Sequence, residues 1–193
     1  MKDNLEVIVV PSGSVEEDSN RMKTAIAFGL KRENESQEVR YILSGVGPDL
    51  NKRLMQEGKS LPYSGPFQNT NGLNVHSELY SSGVETARLR FIFGEGLKPI
   101  GIDTLSVNSV ENMVNTFTPG TEGNYTIVSR ALHNARFKMI EKELRKIGYL
   151  SSNLRISYVN TPNSFSIKNI AYDLLALAKF FANKGKIKSS IHA

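Results

Sequence analysis

Two polar clusters hold the residue types from which a binding or catalytic site is built: Ser106-Val107-Asn108-Ser109-Val110-Glu111-Asn112 and, further along, Ser129-Arg130-Ala131-Leu132-His133-Asn134-Ala135-Arg136. In the second, His133 and Arg136 stand three apart. On a helix begun at Leu132 they look the same way, and an imidazole beside a guanidinium suits a phosphate, a carboxylate or an oxyanion. Ser129 precedes them at the end of an apolar run. In the first cluster Ser106 and Ser109 offer hydroxyls at a helix start, where the helix dipole favours an anion. Asn108 and Glu111 have capping-box spacing, with Glu111 reaching back to the cap N–H, and Asn112 is a further polar residue that the box does not use. If the site performs a reaction, His133 is the candidate general acid or base and Glu111 the second proton-handling or orienting group, in a transfer or a hydrolysis.

Two small-residue loops join them. Pro11-Ser12-Gly13-Ser14 and Ser44-Gly45-Val46-Gly47 let backbone N–H groups approach an anion, which makes Ser12, Gly13, Ser44 and Gly45 candidate ligand contacts. Neither loop is a dinucleotide fingerprint or a phosphate-binding P-loop, and no G-x-S-x-G nucleophile elbow is present. Taken alone, Arg21 and Glu85 read as surface or helix-bridging charges. The three histidines, His76, His133 and His192, are far apart and there is no cysteine, so no His/Cys metal site and no thiolate nucleophile is expected. An oxygen-rich Mg²⁺ site on Glu111 or Asp103 is open but unspecific, and the sequence does not identify a cofactor.

The elements that must position these residues alternate along the chain. Leu5 to Val10 is a valine-rich apolar run stopped by Pro11, as in a buried parallel strand. A helix from about Ser19 to Leu30 places Met22, Ala25, Ile26 and Gly29 on one face, with Arg21 near its start. Val39 to Leu43 is a second strand. The segment from about 49 to 82 is rich in Asn, Gly, Ser and Pro and reads as a loop insertion, either a lid or passive. A helix through Val84, Ala87, Phe91 and Ile92 follows, then a strand at Lys98 to Asp103. The first polar cluster opens a helix that turns Val110, Met113, Val114 and Phe117 inward and closes at Pro119-Gly120. Asn124 to Val128 is the next strand. The second cluster opens a helix with Phe137, Ile140, Leu144 and Ile147 on its apolar face, stopping at Gly148, and Leu154 to Val159 is a fifth strand. A last helix from about Ser166 to Asn183 carries Ile167, Ile170, Ala171, Leu174, Ala178 and Phe181 on a stripe expected to pack on the sheet.

This alternation predicts an α/β fold, a Rossmann-like three-layer sandwich with a mostly parallel sheet of about five strands, in one domain spanning 1–193. Both clusters then lie where a strand hands over to a helix, at the carboxyl edge of the sheet where such folds bind ligands.

Charge is unevenly spread. The chain carries +5 overall, −4 over residues 1–127 and +9 over 128–193. The basic third, with a short tail at about 184–193, suits a phosphorylated small molecule, an acidic partner or an anionic membrane surface. Zinc-finger spacing and the aromatic interleaving of single-strand binders are both missing, so nucleic acid is not the expected partner. No apolar run is long enough for an integral membrane segment and no signal-peptide pattern opens the chain, which leads us to expect a cytoplasmic protein. Oligomeric state is not legible.

Several of these features together resemble the SanA/ElyC/YdcF-like family of α/β domains of unknown biochemical function. The shared pattern is Pro11-Ser12-Gly13 after the first strand, Arg21-x-x-x-Ala25 on the first helix, Ser44-Gly45, Glu85, the Ser106 to Asn112 motif, and Ser129 with His133 and Arg136. The resemblance implies a Rossmann-like sheet with Ser12, Gly13, Arg21, Ser44, Gly45, Glu85, Ser106, Asn108, Ser109, Asn112, Ser129 and Arg136 gathered at its carboxyl edge beside His133. It also implies links to cell-envelope metabolism in some relatives. This chain departs from the pattern at Pro11-Ser12-Gly13, which is less glycine-rich, at Val46 between the glycines, and at Ser109 in place of threonine. The function expected is binding of an anionic, nucleotide-like or phosphorylated small molecule. The alternative is a noncatalytic scaffold using the basic third.

Overall fold

A computed structural model describes residues 4–11, 15–44, 99–102, 106 and 108–162, together with helical positions between 170 and 182. Strand β1 (Leu5–Pro11) is buried from Glu6 onward, because apolar side chains on both faces of a central strand need cover on both sides. Val7 and Val9 enter one core and Ile8 turns to the other face, toward the helix that follows.

That helix, α1 (Val15–Asn34), is longer at both ends than the spacing predicts. Glu16, Glu17 and Asp18 favour an early start and Lys31 and Arg32 sit in its last turn, each with the sign that its end of the helix dipole prefers. Met22, Ala25 and Gly29 are buried. Gly29 is the seat of Tyr41: an added Cβ there would meet the Tyr41 hydroxyl.

Strands β2 (Glu38–Ser44), β3 (Pro99–Ile102), β4 (Gly123–Ser129) and β5 (Leu154–Asn160) complete a five-stranded sheet in the order β3-β2-β1-β4-β5. Every pairing is parallel. Helices α2 (Ser109–Thr116) and α3 (Ala131–Lys146) cover the face opposite α1. There Met113 and Phe117 from α2, and Phe137, Ile140 and Leu144 from α3, pack on Val7, Val9, Ile42 and Ile127. The expected three-layer α/β architecture is the observed one.

Two expectations about apolar faces need correction. Ile147 is not part of the inward face of α3 but is 37% exposed. The helix has already ended there: Gly148 takes φ 72, and Tyr149 N–H bonds Leu144 O at 2.9 Å while Gly148 N–H bonds Arg145 O at 3.0 Å, a Schellman closure. In the last helix, Ile170, Ala171, Leu174 and Ala178 are exposed rather than packed on the sheet. Helical spacing puts the polar Lys168, Asn169, Tyr172, Asp173 and Lys179 on the side opposite this stripe, so the periodicity marks an apolar face without saying what covers it. The 49–82 insertion, the helix through Val84 to Ile92 and the 184–193 tail lie outside the described residues.

Strand order determines where a ligand can sit. From β1 the chain moves outward to β2 and β3, then returns to the other side of β1 for β4 and β5. The connections therefore diverge between β1 and β4, and the crevice of such a sheet opens at the carboxyl ends of those two strands. Register aligns that edge: Pro11 pairs with Ser44, Ser129 pairs with Asn160, and Val9 opposite Ile127 puts Pro11 and Ser129 level.

Candidate functional site

At the divergence point four side chains form one buried chain of hydrogen bonds. Arg21, only 1% exposed, reaches back from the second turn of α1 and donates from Nη1 to Pro11 O at 2.8 Å. Its Nη2 lies 3.2 Å from His133 Nδ1. Ser129 Oγ, at the end of β4, is 2.9 Å from the same nitrogen, and Ser109 Oγ, the first residue of α2, is 3.0 Å from His133 Nε2. Phe137, one turn along α3, stacks on the imidazole with centroids 4.5 Å apart.

These contacts specify the proton on the ring. A guanidinium only donates, so Nδ1 facing Arg21 must accept, and the neutral ring carries its proton on Nε2. His133 therefore donates to Ser109 Oγ, and the Ser109 hydroxyl proton is directed to another acceptor. Burial first, then the positive charges of Arg21, Arg136 and Arg130, hold the imidazole well below its ordinary value of 6.5. Among the described residues, every charge acting on the ring in this way is cationic.

Helix α2 is anchored above the edge by its polar residues. Asn108 caps it, with Oδ1 accepting from Val110 and Glu111 N–H at 3.0 Å each. The cap thus takes the Val110 and Glu111 amides, and Asn112 N–H bonds Asn108 O at 2.9 Å. Glu111 Oε1 accepts from Asn108 Nδ2 at 2.5 Å, a side-chain variant of the expected capping box, and no hydrogen bond of the His133 ring reaches it. Ser106 Oγ accepts from Asn115 Nδ2 at 2.8 Å, and Thr116 Oγ1 donates to Ser44 Oγ at 3.4 Å, at the end of β2.

The structure thus joins Arg21, Ser109, Ser129 and His133 directly, ties Ser44 and Ser106 to the same helix, and brings the charge of Arg136 near the imidazole. It leaves Asn108 and Glu111 as a cap on the exposed side. Arg21 is not the surface charge that its position alone suggests. Ser12, Gly13, Gly45 and Glu85 lie outside the described residues.

Three contributors were not singled out from the sequence. Asn134 Nδ2 bonds Ser129 O, Val159 O and Asn160 Oδ1 at 3.1, 3.0 and 2.9 Å, clamping the ends of β4 and β5. Asn115 and Thr116 fix α2 to its loop and to β2. A signal existed for Thr116: with Ser109 and Asn112 it forms a polar stripe at i, i+3, i+7 beside the apolar Met113 and Phe117.

Among the described residues no cluster of His, Cys, Asp or Glu could hold a metal ion, and no helix is long and apolar enough to cross a membrane. The chain matches no family model, no curated protein and no solved structure.

Proposed function

We propose that this protein binds an anionic, phosphorylated small molecule at the carboxyl ends of β1 and β4. The observation that carries this reading is the buried Arg21–His133–Ser109 chain at the point where the strand connections diverge. Its residues set positive charge around a neutral imidazole, and a phosphoryl group is the ligand chemistry that such a field and the free proton of the Ser109 hydroxyl favour. Arg136 supplies further charge. Ser109 touches the ligand, and His133 positions Ser109.

In this reading His133 does not act as a base toward Ser109, because the nitrogen facing the hydroxyl already carries the proton. Glu111 belongs to the helix cap. The resemblance to the SanA/ElyC/YdcF-like pattern supports the same edge of the sheet as the working surface. Thermal stabilisation by a panel of nucleotides and sugar phosphates tests the assignment, with His133→Ala and Arg136→Ala as comparisons. We expect at least one phosphorylated compound to stabilise the wild type and to lose its effect in both variants. A compound whose effect survives both changes binds elsewhere and removes the assignment.

A second reading rests on a different observation, the exposed Ile170, Leu174 and Leu175 at helical positions, followed in sequence by Lys179, Lys184, Lys186 and Lys188. An apolar face beside a basic run fits an anionic membrane surface. Salt-sensitive binding to phosphatidylserine vesicles, lost on removing 184–193, supports it; binding indifferent to salt counts against it.

A further inference from the structure

We propose that Asn112 reads a hydroxyl group of the ligand, so that the site takes a polyhydroxylated phosphate ester rather than a bare phosphate or an alkyl phosphate. The inference rests on the phosphate-binding reading above and adds the substrate class.

The polar stripe of α2 spans the divergence point. At one end Ser109 bonds His133 over β4, and at the other Thr116 bonds Ser44 at the end of β2. In the sheet β1 lies between β4 and β2. Asn112 stands between Ser109 and Thr116 on the same helix face, and therefore over the end of β1, where the crevice opens.

Its surroundings make it unlike its neighbours. Asn112 is 7% exposed, and its Oδ1 is buried with no hydrogen-bond partner, while the capping role that would explain an asparagine here belongs to Asn108. Folded proteins rarely keep a buried carboxamide oxygen unsatisfied, since it loses water without compensation. A ligand donor arriving between Ser109 and Thr116 supplies the missing bond. A hydroxyl fits best, because it both donates and accepts and so satisfies either orientation of the carboxamide. It also lies on a ligand whose phosphoryl group is held near Ser109 and the arginines.

The experiment compares ribose 5-phosphate with propyl phosphate by isothermal titration calorimetry, on the wild-type chain and on Asn112→Leu, which keeps volume and removes both polar atoms. One well-made hydrogen bond corresponds to a preference of about ten-fold or more for ribose 5-phosphate in the wild type. In Asn112→Leu we expect that preference to vanish while the affinity for propyl phosphate stays within about two-fold. Circular dichroism confirms folding, and Asn112→Ala gives the same comparison if the leucine variant does not fold. Equal wild-type affinities for the two esters, or a preference that survives in the variant, overturns the hydroxyl inference and leaves the phosphate site standing. If neither ester binds, the phosphate site itself fails and the inference goes with it.

Discussion

Acidification isolates His133 from every other titrating group when the wild type is compared with His133→Gln. In the folded chain a second ring proton would sit on Nδ1, 3.2 Å from an arginine nitrogen that can only donate, inside the field of three guanidinium groups and under the Phe137 ring. The folded imidazole therefore resists protonation, whereas the unfolded one titrates at the ordinary 6.5. The unfolded state binds the extra proton, so the contribution is fully present above pH 6.5 and is lost as pH falls below it toward the depressed folded value. The slope approaches at most about 1.4 kcal/mol per pH unit below 6.5, which caps the contribution between pH 7.5 and pH 5 at about 2 kcal/mol. For a chain of this size that corresponds to roughly 4–8 °C in Tm. Urea unfolding at pH 7.5, 6.5, 5.5 and 5.0 measures it, because glutamine does not titrate and the carboxylates common to both chains cancel in the difference. We expect the wild type to lose more stability than His133→Gln over this range, by up to about 2 kcal/mol. A difference flat with pH would show that His133 keeps its ordinary affinity for protons, and a difference of opposite sign would place an acidic partner on the ring; either refutes the Arg21 contact.

Four further substitutions test the frame around the site. Gly29→Ala forces a methyl group against the Tyr41 hydroxyl and should cost about 1–3 kcal/mol in urea unfolding. The Tyr41 hydroxyl is buried without a hydrogen-bond partner, so Tyr41→Phe alone should be neutral or stabilising and should recover part of the Gly29→Ala loss. Arg21→Met removes the donors to Pro11 O and His133 Nδ1; we expect a loss of about 2–5 kcal/mol and a smaller acid-dependent loss of stability, both read from the same urea series. Asn134→Leu removes the clamp on β4 and β5 and should cost about 1–3 kcal/mol, with faster amide exchange at Thr161, whose N–H bonds Ser129 O.

The sheet was legible because its central strand is apolar on both faces, which only a parallel strand covered by helices on both sides requires. Boundaries followed where capping chemistry is local, as at Asn108 and Gly148. Arg21 was not legible in the same way. Its position on α1 says nothing about burial, and its partners, Pro11 and His133, come from β1 and from a helix more than a hundred residues away. The same separation hid the tautomer of His133, which depends on an arginine that only the tertiary fold brings to Nδ1. In the last helix the apolar stripe was legible but its cover was not: Ile170, Leu174 and Leu175 are exposed, and amphipathic spacing alone does not say what a face packs against.

Whether the carboxyl ends of β1 and β4 receive a phosphorylated ligand is decided by a crystal structure of the chain grown with ribose 5-phosphate. We expect density for the sugar phosphate over the end of β1, with the phosphoryl group in hydrogen-bond distance of Ser109 Oγ and a ribose hydroxyl on the Asn112 carboxamide. Density for the ligand at any other place, or an unliganded edge at saturating concentration, contradicts it.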